Sequence, residues 1–364
     1  MLAMLTCLIR PPAIDRELHG ASYRVVWIIS PAIDLLFVCG GAMLLLALGQ
    51  QHALQHMHRH ELACLGNIAL LAALLIGETH TIATIFAVWV DTNCRRRHGR
   101  FSCAAAAISL SLMFLIGAFA ALAPYMVRIY LLAVSWHFVM QARGILLMYC
   151  RLAHYERSRF QAAIWDWLLD LTMINWMLVQ LSDYFCSGTE TFLLQRLAPI
   201  AIVPRLFVDM LLVTSALLAV IAVLNLGFRI LCGLRLPPLP AMLLLFVVAA
   251  IFSPGRPFVL MQQSIWLYAP ALFHGSQYLC VMARRLKDST NEQDCSTLLP
   301  LCYLKCLTLS LSLFIALPWL LTLFFAGHGL TFGAALAAIF IGLQLYHLAL
   351  DAVIWRRPPL VLTG

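Results

Sequence analysis

The sequence has very few charged residues, and this scarcity decides its class. Asp, Glu, Lys and Arg make up only 11% of the 364 residues, whereas hydrophobic residues make up 63% and the mean hydropathy is +0.90. A soluble domain carries about 25% charged residues, so this chain cannot cover a surface that faces water. We predict an all-α, polytopic integral membrane helix bundle in which 1–364 form a single integral membrane domain.

Several sequence motifs are also missing, and each absence disfavours a class of protein. The chain has no Walker loop, no Gly-x-Ser-x-Gly and no His-Glu-x-x-His, which disfavours ATP-driven transport, serine hydrolysis and zincin proteolysis. The 12 cysteines include no Cys-x-x-Cys pair. The formal charge of +8 comes from short basic clusters beside apolar runs, so we interpret it as a topology signal and expect no nucleic-acid partner.

The apolar runs predict about ten transmembrane helices. Their expected ranges are 25–49, 63–90, 102–123, 126–149, 162–182, 206–228, 239–254, 258–283, 304–326 and 331–355. The segment 239–254 is short, and nine crossings are the alternative if it does not span. With ten crossings, eighteen Lys and Arg residues fall on one side and five on the other, which predicts cytoplasmic N- and C-termini in a bacterial inner membrane.

Four histidines are placed singly inside apolar helices: His80, His137, His274 and His347. On the ten-helix topology all four helices run in the same direction. A rise of 1.5 Å per residue then puts the imidazoles ~12–18 Å from the cytoplasmic helix ends. We therefore predict one layer of histidines near the middle of the membrane, facing the interior of the bundle.

Each histidine has a polar residue about one helical turn away on the same face. Such residues orient a metal-binding imidazole through its second ring nitrogen. We predict this role for Gln141, Gln277, Gln344, Asp351 and Thr84. A possible charge layer at the same depth consists of Asp34, Glu78, Arg143 and Asp170. Glu78 would become a ligand only if the helix opens at Gly77, and Arg143 needs a partner among Asp34, Asp351 and Glu78 unless it reaches toward the cytoplasm.

Three interpretations of the histidine layer stay open. In the first, the imidazoles hold a non-haem metal, with iron favoured. In the second, they ligate haem b for electron transfer. In the third, they join helices by hydrogen bonds or take part in proton or metal transport. A second histidine-rich stretch, 51–60, is interpreted as a solvated loop, with metal collection outside the membrane as the alternative.

In its architecture the chain resembles the bacterial Brp/Blh carotenoid-cleaving membrane oxygenases. The resemblance lies in the single, dispersed placement of His80, His137, His274 and His347 over a multispan chain. It does not extend to the family's paired histidines, because no two intramembrane histidines here are four residues apart. The resemblance implies a four-histidine iron site and an apolar small-molecule substrate, such as a lipid or isoprenoid, that enters from the bilayer. The expected activity is that of an iron-dependent oxygenase or oxidase. The sequence does not indicate the oligomeric state.

Overall fold

The protein is described by a computed structural model, and its ordered architecture is helical. The structure describes residues 27–43, 45, 64, 68, 71–90, 92–185, 191–251, 265–289, 292–325 and 329–354. The histidine-rich stretch 51–60 lies outside these residues, as do both ends of the chain.

Eleven α-helices lie within the described residues, together with one short hairpin. The helices are α1 (Pro31–Ile33), α2 (Glu78–Val90), α3 (Thr92–Ala118), α4 (Ala123–Leu152), α5 (Arg159–Val179), α6 (Arg205–Leu231), α7 (Leu239–Ile251), α8 (Ile265–Ser289), α9 (Glu292–Leu311), α10 (Leu317–Phe325) and α11 (Phe332–Ile354). The antiparallel strands β1 (Thr191–Phe192) and β2 (Gln195–Arg196) form the hairpin between α5 and α6.

Six helical segments of the described chain are long and apolar enough to cross a membrane. They are Arg95–Ala118, Ala120–Leu152, Arg159–Val179, Arg205–Leu231, Pro300–Phe325 and Phe332–Val353. The predicted membrane bundle is thus confirmed in its class. Helix α7 is apolar but has only 13 residues, fewer than the ~20 that cross a bilayer. The number of about ten spans and the side on which the termini lie stay predictions.

In the part of the chain that the structure describes, three π-helical turns interrupt the helices, at Asp34–Val38, Ala73–Gly77 and Ser312–Ala316. Such turns are rare and are often found at functional sites. The turn at Ala73–Gly77 leads directly into α2 and ends three residues before His80. The length of the second apolar run allowed a tilt or a kink at Gly77, and the structure contains a π-helical turn there.

The helix α11 lies at the centre of the bundle. It packs against α2, α3, α4 and α10, and α8 packs against α2, α4 and the π turn before α2. The π turn and α8 cross very closely, because a Cβ atom on Gly275 would lie 2.8 Å from Cα of Gly77. Small residues permit such close backbone approaches between membrane helices. This crossing brings the helices of His80 and His274 together.

Candidate metal centre

The four predicted histidines meet at one point inside the bundle. Nε2 of His80 lies 3.2 Å from Nε2 of His347, and Nε2 of His137 lies 3.1 Å from Nε2 of His274. The ring centroids of His80 and His274 are 4.5 Å apart, and those of His137 and His347 are 5.1 Å apart. All four side chains are buried. Four separate helices, α2, α4, α8 and α11, therefore direct the same ring nitrogen toward a common centre.

A carboxylate from α11 enters the same centre. Oδ2 of Asp351 lies 3.5 Å from Nε2 of His137 and 3.5 Å from Nε2 of His347. Asp351 is one turn beyond His347 on the same helix, and its side chain is buried. The donor atoms form two overlapping groups within 4.8 Å, His80, His274 and His347 in one and His137, His347 and Asp351 in the other. His347 belongs to both groups, so the two groups are neighbours that share one imidazole.

The two shortest nitrogen–nitrogen distances suit pairs of ligands on a transition metal ion. Bonds of about 2.0–2.1 Å from a metal to imidazole nitrogen put neighbouring ligand nitrogens ~3.0–3.4 Å apart at angles of ~90–109°. The nitrogen pairs at 3.1 and 3.2 Å fall within this range. Imidazole binds iron, copper, zinc and nickel alike, so the nitrogens alone do not select the metal.

The outer ring nitrogens differ in their partners. Nδ1 of His80 hydrogen bonds to the main-chain carbonyl of Gly77, which makes Nδ1 the protonated nitrogen and leaves the lone pair of Nε2 for the centre. Nδ1 of His274 and Nδ1 of His347 have no hydrogen-bond partner in the described part of the chain.

The predicted polar neighbours surround the centre, but their hydrogen bonds go to other groups than the outer ring nitrogens. The amide of Gln141 donates to the main-chain carbonyl of His274 at 3.0 Å and to Oε1 of Gln277 at 3.2 Å. Gln277 donates to the carbonyl of Val38 at 2.8 Å. The hydroxyl of Thr84 donates to the carbonyl of His80 at 3.2 Å. Gln141 therefore joins α4 to α8 and Gln277 joins α8 to the π turn at Asp34–Val38, whereas the bond of Thr84 lies within α2.

Gln344 and Glu78 join α11 to α2 beside the centre. The amide of Gln344 donates to the carboxylate of Glu78 and lies 3.0 Å from the hydroxyl oxygen of Thr81. Glu78 is buried, and its carboxylate faces this amide.

The other charged residues have structural partners away from the histidines. Asp34 is buried and accepts hydrogen bonds from the main-chain nitrogen of Ile28 at 2.6 Å and from the hydroxyl of Tyr149 at 2.7 Å. Nη2 of Arg143 lies 2.6 Å from Oδ1 of Asp170. Arg143 thus pairs with a residue of the neighbouring helix α5, and not with Asp34, Asp351 or Glu78.

Two aromatic rings complete the surroundings of the histidines. The ring of Tyr278 lies 5.4 Å from that of His80, and the ring of Phe138 lies 4.6 Å from that of His274. Both side chains are buried. The position of Tyr278, four residues after His274, indicated a shared face, whereas Phe138 directly follows His137 and no periodicity pointed to it.

An apolar groove of about 230 Å³ lies beside the centre, between α2, α9, α11 and the π turn at Ser312–Ala316. Its lining includes Ile82, Phe86, Leu313 and Leu343. Leu343 is one turn before His347 on α11, whereas the groove residues of α2 lie on the face opposite His80. The groove is therefore a neighbour of the metal centre along α11, separated from the imidazoles by α2.

No protein family model, curated protein or solved structure matches this chain. The function must therefore be argued from the centre formed by His80, His137, His274 and His347.

Proposed function

We propose that the protein is a membrane-embedded, non-haem metal-dependent oxygenase or oxidase, with iron as the metal and a lipid or isoprenoid as the substrate. The single observation that carries this proposal is the convergence of four imidazole Nε2 atoms from four helices on one buried point. His80, His137, His274 and His347 would hold the ion. When bound, the iron would supply redox activation of dioxygen at an open coordination position.

The energetics favour a metal over hydrogen-bonded contacts between helices. Polar contacts between membrane helices contribute on average only ~0.6 kcal/mol each, whereas burying polar groups without adequate partners costs several times more. Among the four imidazoles and the carboxylate of Asp351, four pairs of donor atoms lie 3.1–3.5 Å apart. A cation at their centre would compensate for the desolvation of all five groups at once, which pairwise hydrogen bonds would not.

The spacing of the nitrogens disfavours haem b. Two axial imidazoles on one haem iron place their nitrogens roughly 4 Å apart, twice a metal–nitrogen bond, with the whole porphyrin between them. The Nε2 pairs of this centre are 3.1 and 3.2 Å apart, and both other histidines lie within the volume that a porphyrin would need.

The partners of the intramembrane acids also disfavour proton or metal transport. Asp34 accepts hydrogen bonds from the main chain and from Tyr149, Asp170 pairs with Arg143, and Glu78 accepts from Gln344. Each acid thus stabilises a turn or a helix pair. A carrier carboxylate would need to exchange its partner during each transport cycle.

The setting supports an apolar substrate. Helices α3 and α6 carry many large hydrophobic residues on the outer surface of the bundle, and an apolar groove runs along α11 on the far side of α2 from the imidazoles. We propose that such a substrate enters laterally from the bilayer of a bacterial inner membrane. The distribution of Lys and Arg supports about ten spans, including α7, with both termini in the cytoplasm.

The proposal is tested by metal analysis and an absorption spectrum of detergent-purified protein, comparing the wild type with His137→Ala. We expect about one iron per wild-type chain, no Soret band, and loss of the iron in His137→Ala. His98→Ala, which changes a histidine of α3 outside the cluster, should retain the iron. Oxygen consumption upon addition of isoprenoids or lipids should depend on the iron-loaded wild type.

A Soret band that disappears in His137→Ala would establish the haem alternative. Wild-type protein that takes up no iron, manganese, zinc or copper after reconstitution would refute the metal centre. If the protein bound metal but consumed no oxygen with any apolar substrate, the metal site would stand and the oxygenase activity would be refuted.

A further inference from the structure

We infer that Asp351 is a fifth direct ligand of the metal, and that it determines which metals the centre accepts. This inference depends on the metal centre of the proposed function but not on its oxygenase activity. The sequence predicted an orienting role for Asp351, because it lies one turn from His347 on the same helical face. The contacts of Asp351 in the folded protein indicate a different role.

The first argument is which ring nitrogen the carboxylate approaches. A carboxylate that orients a metal-bound imidazole accepts a hydrogen bond from the nitrogen that is not bound to the metal. In this centre Nε2 faces the common point, so an orienting group would lie at Nδ1. Oδ2 of Asp351 lies instead 3.5 Å from Nε2 of both His137 and His347. The carboxylate is therefore on the metal side of both rings.

The second argument is the distance. Hydrogen bonds from N–H to oxygen are typically 2.7–3.2 Å long, and both separations are 3.5 Å. Two donor atoms bound to one ion at about 2.1 Å lie ~3.4 Å apart at a tetrahedral angle. The separations thus match those of atoms that share an ion, and they are the same for two histidines on different helices, α4 and α11.

A fifth ligand of this type changes the charge and the selectivity of the centre. Four neutral imidazoles would leave a divalent ion with its full charge inside the bundle, whereas one carboxylate reduces the charge to +1. Carboxylate oxygen favours harder ions such as Mn(II) and Fe(II) over Cu(I), which prefers softer ligands.

The inference is tested with two substitutions at this position and one matched control. Asp351→Asn keeps the size of the side chain and removes its charge, and Asp170→Asn makes the same change in an acid that pairs with Arg143 outside the centre. Loss of an orienting partner lowers metal affinity ~10–100-fold. We expect Asp351→Asn to weaken Fe(II) and Mn(II) binding by more than ~100-fold, with a smaller loss for Cu(I), and Asp170→Asn to bind as the wild type does.

Asp351→Cys provides a spectroscopic readout that an orienting residue would not give. After loading with Co(II), a thiolate bound to the ion produces a sulfur-to-cobalt charge-transfer band in the near ultraviolet, which the wild type should lack. Cobalt bound without this band would overturn the inference, and so would Asp351→Asn binding Fe(II) within ~100-fold of the wild type, which is the loss expected of an orienting partner. If Asp351→Cys takes up no cobalt, the affinity of Asp351→Asn for Fe(II) decides whether Asp351 is a ligand. A wild type that binds no metal would refute the proposed centre itself, and that result is separate from the others.

Discussion

Helices α11 and α6 have similar lengths but occupy opposite environments. The most apolar window of α6 has a mean hydropathy of 2.5 and is 17% buried, whereas that of α11 has a mean hydropathy of 1.7 and is 72% buried. The more polar helix therefore lies inside the bundle and the more apolar helix on its perimeter. In a membrane the hydrophobic surface of the protein contacts lipid. High hydropathy therefore indicates that a helix spans the membrane, and polar residues within a span indicate which helices lie in the interior of the bundle.

This comparison predicts that polar residues of α11 serve function and those of α6 do not. The largest effect is expected for His347→Leu, which removes a nitrogen shared by both donor groups. We expect the affinity for the metal to fall below about a hundredth of the wild-type value. We expect no loss of thermal stability in the metal-free protein, because a buried polar cluster is replaced by an apolar side chain of similar volume. Metal analysis and thermal unfolding in detergent provide the measurements.

Asn225→Leu on α6 is the matched control for His347→Leu. It should change neither metal content nor unfolding temperature, because Asn225 lies on the perimeter helix. If Asn225→Leu lost metal as well, the contrast between the two helices would be wrong.

The second prediction concerns the close helix crossing beside the centre. A Cβ at Gly275 would lie 2.8 Å from Cα of Gly77 and 2.9 Å from the carbonyl oxygen of Ile76, and backbone atoms cannot move aside cheaply. We expect Gly275→Val to destabilise the fold by about 3 kcal/mol and to separate His80 from His274. Gly227→Val on α6, where a Cβ meets nothing within 4 Å, should leave both unfolding temperature and metal content nearly unchanged. Equal losses in the two variants would contradict the prediction.

A smaller effect is expected at Asp34. Its carboxylate accepts hydrogen bonds from the main-chain nitrogens of Ile28, Ile29 and Ser30 and from the hydroxyl of Tyr149. Asp34→Asn should lower the free energy of unfolding by about 1–2 kcal/mol, because one acceptor oxygen is replaced by a donor group. Asp209→Asn on α6, where the acid accepts from Tyr184 alone among the described contacts, should cost less. A larger loss at Asp209 would refute this ranking.

The smallest effect is expected for the ion pair between Arg143 and Asp170. The two side chains are 21% and 38% exposed, and ion pairs that are accessible to solvent contribute about 0–1 kcal/mol. Asp170→Asn should therefore leave the unfolding temperature and the metal content close to those of the wild type. Loss of metal in this variant would link the ion pair to the centre, which no described contact does.

The sequence predicted the class of fold and the residues of the candidate centre, because both depend on local information. Apolar runs in a chain with so few charges require membrane helices, and single histidines within them are too costly to be incidental. Helical periodicity also identified Asp351 on the face of His347. Residues on one helix can be placed around its axis without knowledge of any other helix.

Partners on different helices could not be predicted in this way. Periodicity gives the direction of Gln141 from its own axis, but the carbonyl of His274 that it reaches depends on how α4 and α8 pack. The pairing of Arg143 with Asp170 likewise depends on the contact between α4 and α5. The ring nitrogen that Asp351 approaches depends on the rotamers of His137 and His347. The spacing of residues in the sequence does not predict rotamers.

The origin of the four imidazoles in distant parts of the chain has a consequence for biogenesis. His80 and His347 are 267 residues apart in sequence, and their Nε2 atoms are 3.2 Å apart. An ion bound to both would therefore join early and late segments of the chain. The ion cannot bind to all of its ligands until α11 has left the insertion machinery and packed among the helices already in the bilayer. Acquisition of the ion would then be the closing step of assembly, after which the bundle could no longer come apart one helix at a time.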